Sequence, residues 1–172
     1  MQHRYVVCDS SLCTGCRLCE LACAMAKTGE YNVEVSRIRT ARPEASLMLS
    51  VACRLCPDAP CVKACPRDAL SISQEDGVIL VDKARCTGCG WCIEACDFGA
   101  IALDHRSKCV VICDLCRDDG GGPRCVVACP KQALDLTSPS AFANSARERI
   151  ARTAEEPDGY TDSRLVETTT RR

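Results

Sequence analysis

Sixteen of the chain's eighteen cysteines fall into four groups of four, and this spacing restricts the possible folds more than any other feature. The first group is Cys13, Cys16, Cys19 and Cys23, separated by two, two and three residues. The second is Cys53, Cys56, Cys61 and Cys65, with gaps of two, four and three, followed by Pro66. The third, Cys86, Cys89, Cys92 and Cys96, repeats the first spacing. The fourth is Cys113, Cys116, Cys125 and Cys129, with gaps of two, eight and three, followed by Pro130.

The rest of the composition agrees with an interior not built from ordinary side chains. Cysteine is about a tenth of the 172 residues, and aromatics number six. Without cysteine the apolar fraction falls from 47 % to about 37 %, thin for a core at this length. No run approaches the roughly 18 apolar residues of a membrane span. The 22 basic and 23 acidic residues nearly cancel, which argues against nucleic acid as the main partner. The N-terminus lacks the charged start and apolar centre of an export signal, so a cytoplasmic location is expected. In that reducing compartment, dense cysteine reads as metal binding or redox chemistry rather than a disulfide frame. Zinc is disfavoured because it uses two well-separated Cys-x-x-Cys knuckles. Four 4Fe–4S clusters fit the recurring runs.

The chain also repeats itself. CTGCRLCELAC (13–23) and CTGCGWCIEAC (86–96) share seven of eleven letters. CPRDALSI, CDFGAIAL and CPKQALDL each carry a small apolar turn and a short strand after the last cysteine. Three thiolates spaced by two residues wrap a tight loop around one cluster corner. The fourth cysteine is expected to start a short helix pointing away from that loop and to serve a neighbouring cluster. Gly15 and Gly88 suit loops whose amides approach sulfur. Residues 69–73 and 78–82 read as a hairpin joining the second and third groups. The first and fourth groups then pair by elimination, which nests one unit within the other.

TGCRLCELAC, CRLCPDAPCVKACP, TGCGWCIEAC and CDLC…CVVACP, in this order, resemble the four-cluster iron–sulfur subunit family. Its members serve molybdenum and tungsten oxidoreductases (dimethyl sulfoxide reductase, formate dehydrogenase, aldehyde oxidoreductase), hydrogenases and carbon monoxide dehydrogenase. The resemblance covers about residues 3–137. It implies an α+β fold of two pseudo-symmetric bacterial dicluster ferredoxin-like units, nested, with short β-hairpins and helices around four clusters. It implies four ligand sets: Cys13, Cys16, Cys19 with Cys129; Cys53, Cys56, Cys61 with Cys96; Cys86, Cys89, Cys92 with Cys65; and Cys113, Cys116, Cys125 with Cys23. The expected domains are 1–137 for the clusters and 138–172 for a C-terminal helix and polar tail.

Asp97 stands where that family often has proline after the fourth cysteine. An inward carboxylate there would lower the potential of its cluster, although such residues more often face water. Leu55 stands where the family often has histidine, so little proton coupling is expected. Cys8 and Cys109 are surplus and read as small buried hydrophobes on apolar strands, with a substitute ligand or redox-active thiol as the alternative. Trp91, between two ligands, is expected to shield a cluster from water. His3 and His105 are expected to be solvated, and Gly120–Gly121–Gly122 to be a flexible crossing over a cluster. Residues 31–38 and 46–51 read as strands about a polar bend at 39–44. Ser138 and Pro139 open a helix with a Phe142, Ala146, Ile150 stripe running to about Glu155. Beyond Pro157 the tail has only Tyr160, Leu165 and Val166 as apolar anchors.

The sequence contains no paired carboxylates, no Ser/His/Asp set and no phosphate-cradling loop, and clusters fully ligated by cysteine leave no open site. A non-catalytic electron-transfer subunit is therefore expected. Its catalytic partner would be a tungsten- or molybdenum-pterin oxidoreductase such as an aldehyde oxidoreductase or formate dehydrogenase. The electron acceptor or donor would be ferredoxin, a flavin subunit or a hydrogenase subunit. The tail would dock on the catalytic subunit or on a second copy. Carbon monoxide dehydrogenase or hydrogenase partners stay open, as does a free-standing, diffusing polyferredoxin. A redox or iron sensor would need an output domain, and the tail is a poor one.

Overall fold

The computed structural model describes residues 3–44 and 46–155. The chain divides after Ser138 into two compact units. Among its described residues the first unit holds four two-stranded antiparallel sheets and four α-helices. Its strands are β1 (Tyr5–Cys8), β2 (Arg39–Glu44), β3 (Leu47–Val51), β4 (Leu70–Ile72), β5 (Ile79–Val81), β6 (Ala102–Asp104), β7 (Cys109–Val111) and β8 (Leu134–Thr137). Its helices are α1 (Leu18–Thr28), α2 (Pro60–Lys63), α3 (Trp91–Glu94) and α4 (Arg124–Val127). The second unit is described as one helix, α5 (Pro139–Glu155). The tail anchors Tyr160, Leu165 and Val166 lie outside the described residues.

Three sheets are local hairpins: β2–β3, β4–β5 and β6–β7. The fourth pairs the ends of the unit, with Tyr5 opposite Thr137 and Cys8 opposite Leu134. Two of the sheets hold their neighbouring loops in the same way. After β1, the Asp9 amide donates to Ala133 O at 2.7 Å, and Cys13 N–H to Asp9 O at 3.1 Å. After β5, the Asp82 amide donates to Ala69 O at 2.8 Å, and Cys86 N–H to Asp82 O at 3.0 Å. The repeat seen in the letters is thus a repeat in hydrogen bonding. The core is aliphatic and sulfur-rich: Val6, Ile38, Leu70, Val78, Ile101, Val110 and Leu134 pack with Cys19, Cys23, Cys53, Cys61, Cys92, Cys113 and Cys125.

Three expectations are corrected. Residues 31–38 are not a strand, because the Asn32 side chain accepts from Glu34 N–H and opens a 3₁₀ turn at Val33–Val35. The expected bend at 39–44 is instead β2. Its Thr40 amide donates at 2.9 Å to the carboxylate of Glu20, a buried residue of α1. That anchor holds a polar segment extended against β3. Nor does the fourth cysteine start a helix. In the last three groups the third cysteine (Cys61, Cys92, Cys125) lies on the helix and the fourth (Cys65, Cys96, Cys129) just beyond its end. In the first group both Cys19 and Cys23 lie on the longer α1. A single turn of helix thus separates the two cysteines.

The residue before each second cysteine is left-handed: Gly15 (φ 67°), Leu55 (51°), Gly88 (66°) and Leu115 (56°). This conformation turns each loop back on itself. At Gly88 an added Cβ would also overlap the carbonyl oxygen of Lys108. Gly88→Ala is therefore expected to destabilise by more than about 2 kcal/mol, from the left-handed penalty plus a backbone clash. Gly99→Ala, at φ 60° with open space around it, should lose only about 1 kcal/mol. Denaturant midpoints of the two iron-loaded variants check the difference.

Candidate metal centres

The sulfurs gather across the sequence groups. One cavity is lined by Cys13, Cys16, Cys19 and Cys129, with about 340 Å³ of space not filled by atoms, part of it open to solvent. A second, with about 320 Å³ of such space counted the same way, is lined by Cys65, Cys86, Cys89 and Cys92. In each, the fourth sulfur comes from a different group in the sequence. The electrostatics bring members of the two other expected sets near one another, together with cysteines of other sets: Cys53 also adds to Cys113, and Cys19 to Cys125. Burial raises the Cys53 thiol to about 11, with Cys61, Cys56 and Cys96 adding to the rise. Burial pushes Cys113 up to about 12, and Cys23 is the first of its charged neighbours to add. Cys125 rises further still, again from burial and then from Cys113, Cys23 and Cys116.

Among the described residues no three His, Cys, Asp or Glu side chains converge as ligands of a single metal ion do. The thiols line spaces instead. Thiols arrayed around a cavity, with amides directed at them, fit an inorganic cluster larger than one ion. Each fourth cysteine accepts one backbone N–H: Cys23 from Arg37 at 3.3 Å, Cys65 from Ala69 at 3.3 Å, Cys96 from Ala100 at 3.5 Å and Cys129 from Ala133 at 3.3 Å. Three of those donors follow a left-handed residue, namely Asp68, Gly99 and Gln132. Cys53 accepts from Leu55 N–H at 3.4 Å, and Cys19 lies 3.4 Å from Ser50 Oγ. Such bonds offset sulfur charge and help set cluster potential. They place Leu55 as a backbone donor, with its buried side chain in the core.

The remaining residues singled out by sequence divide. Trp91 lines the second cavity but is 62 % exposed, so it covers that site only in part. Asp97 is exposed, and with Asp58 it adds to the rise of the Cys56 thiol, which burial dominates. Cys109 is buried, its thiol directed at the carbonyls of Lys83 and Ser107. Cys8 is half-buried beside Cys13, and burial raises its thiol to about 11. His105 is exposed, but His3 is not merely solvated. Its Nε2 lies 2.9 Å from Arg54 O and its ring tilts against Tyr5. The glycine crossing is tied down by the Asp119–Arg124 ion pair and by Gly121 N–H donating to Asp119. Arg54 stacks on Tyr5 and Phe98, and Arg67 lines the second cavity.

Two charged groups were not singled out from sequence. Glu20, fully buried next to Cys19, accepts from Arg17 and from the Thr40 amide. Asp114, next to Cys113, accepts from Lys27 Nζ at 2.9 Å and is also paired with Arg37. Burial alone would raise the Asp114 pKa, but Lys27 and Arg37 outweigh it and hold the carboxyl below its ordinary value. The only sequence signal for either was an acidic residue adjoining a ligand.

Comparison with known proteins agrees with this chemistry. A subunit of aliphatic sulfonate oxidoreductase from Pyrococcus furiosus, described as polyferredoxin-like, is 40 % identical over 72 % of this chain and 69 % of its own. Electron transport protein HydN of Escherichia coli is 32 % identical over 88 % of this chain and 98 % of its own. The B subunit of anaerobic dimethyl sulfoxide reductase of Escherichia coli is 36 % identical over 74 % and 70 %. Residues 45–138 match the family described as 4Fe-4S dicluster domain. With its cysteines gathered as such clusters require, this protein belongs to the 4Fe-4S dicluster domain family and binds 4Fe–4S clusters.

Proposed function

We propose that this chain is the electron-transfer subunit of an oxidoreductase complex, relaying single electrons through four 4Fe–4S clusters. The observation that carries the reading is the cavity lined by Cys13, Cys16, Cys19 and the distant Cys129. The clusters are held by four sets: Cys13, Cys16, Cys19, Cys129; Cys53, Cys56, Cys61, Cys96; Cys86, Cys89, Cys92, Cys65; and Cys113, Cys116, Cys125, Cys23. Two ferredoxin-like units are nested, the inner one joined by β4–β5 and the outer one closed by β1–β8. The matching hydrogen bonds after β1 and β5 support that pseudo-symmetry. The cluster domain covers 1–137, and 138–172 is a separate helix and tail.

Clusters supply one-electron redox chemistry when bound. The chain's own work is to cap each one with thiolate, keep water away and set its charge environment. Full cysteine ligation leaves no coordination site for a substrate, so the subunit is not itself catalytic. Leu18, Met25, Tyr31 and Val127 line an open surface groove beside α1 and α4, apolar surface of the kind that marks an interaction face. The catalytic partner is a tungsten- or molybdenum-pterin enzyme, the class the family resemblance implies, working in the cytoplasm. The tail docks on that partner or on a second copy. No helix among the described residues is long and apolar enough to cross a membrane.

Anaerobic purification should yield about sixteen iron atoms per chain, in a particle that also contains tungsten or molybdenum. A lone particle near 18.6 kDa, or far less iron, would overturn the reading. Unchanged complex formation after truncation at Thr137 would remove the docking role of the tail. Asp97→Asn is expected to raise the potential of the cluster at Cys53, Cys56, Cys61 and Cys96. Because Asp97 is exposed, the shift should shrink with added salt, as redox titration at two ionic strengths would reveal.

A further inference from the structure

The outer pair of clusters is flanked by two carboxylates with unequal compensation. Glu20, beside Cys19, faces one cation, Arg17, whose side chain is 53 % exposed. Lys131, which lines the same cavity, is exposed as well. Water screens such charges. Asp114, beside Cys113, faces two cations in a drier place: the Lys27 side chain is 10 % exposed and that of Arg37 26 %. Asp114 also accepts from the Cys116 amide at 3.2 Å, and the Arg37 amide donates to Cys23 Sγ. The group therefore touches three of the four residues assigned to one cluster and carries a net charge of one positive unit. Further out, Arg117 pairs with Glu75 and Asp76, Arg124 pairs with Asp119, and Asp118 lines the same pocket as Lys27 and Arg37; the surplus of negative charge among these groups sits on exposed side chains that water screens.

We propose that Lys27 and Arg37, closing on Asp114, raise the potential of the cluster at Cys23, Cys113, Cys116 and Cys125 and make it the electron-accepting end of the outer pair. The inference rests on the cluster assignment above. Adding an electron makes a cluster more negative, and a poorly screened positive surplus favours that step. Lys27 and Arg37 are tuning residues. Lys27 contacts Asp114, Arg37 contacts Asp114 and Cys23, and neither contacts substrate.

The test is a redox titration followed by electron paramagnetic resonance on the anaerobically purified full chain, reading the signal that Cys113→Ala abolishes. Lys27→Gln should shift the reduction equilibrium of that cluster about tenfold toward the oxidised form, which is about 59 mV for one electron. Asp114→Asn should shift it in the opposite direction. The double variant should return close to the parent, and Lys27→Arg should not move it. A merely structural role predicts shifts of one sign, or lost iron, in both single variants. If Lys27→Gln loses its cluster, Arg37→Gln carries the same prediction. Iron present with no opposed shifts overturns this inference alone, whereas a chain without iron overturns the cluster assignment and the inference together.

Discussion

Stripping iron from the purified chain with a chelator is expected to abolish the folded state of the first unit, seen as loss of its thermal transition. The strands are three to six residues long and paired only in twos, and an isolated two-stranded hairpin is marginal in water. Much of what fills the interior is cysteine around cavities rather than aliphatic side chain. Structural zinc in small peptides contributes about 10–16 kcal/mol to folding, and whole domains are stable by only about 5–15 kcal/mol. Clusters of comparable binding strength would supply as much as the entire margin. A transition unchanged by iron removal would show that the side chains suffice.

The same prediction has a pH arm. Burial raises the thiols of Cys53 and Cys92 to about 11 and that of Cys113 to about 12, above the ordinary 9.0. Without iron, the raised thiols favour folding below about pH 9, too little to hold the fold by themselves, and that contribution is lost as pH climbs through 11 to 12. Loading has the opposite slope, because each ligand must give up a proton to bind iron. Chelator resistance is therefore expected to fall as pH drops from 8 to 6. Resistance that rises on acidification would contradict thiolate ligation.

The sequence made the cysteine groups legible because all four open on Cys-x-x-Cys and close on Cys-x-x-x-Cys, and Gly15 and Gly88 mark the left-handed slot in two of them. Leu55 and Leu115 fill the same slot without glycine, and only lining the groups up on their second cysteines would have shown it. β2 was illegible because its residues are polar and the force that extends it is the carboxylate of Glu20 on another element. The Asp114 group was hidden for a related reason: its cations lie 77 and 87 residues away in the chain. Short-range patterning specified the loops, while the charge environment of the clusters depends on contacts that periodicity does not encode.

Cys19 and Cys23 lie one helical turn apart on α1, yet replacing each is expected to remove a different cluster. Cys19 lines the cavity shared with Cys13, Cys16 and Cys129, and Cys23 is not among its lining residues. Cys23 adds to the raised thiols of both Cys113 and Cys125, whereas Cys19 adds only to that of Cys125, and less than Cys23 does. Cys23→Ala and Cys125→Ala, far apart in sequence, should thus lose the same resonance signal, each leaving about twelve of about sixteen iron atoms. Combining them should lose no more than either alone, since both remove one shared centre. Cys19→Ala should spare that signal and lose the one that Cys129→Ala also abolishes. If Cys19→Ala and Cys23→Ala instead abolish one signal in common, the ligands are not exchanged between groups. The nested arrangement would then give way to four independent loops.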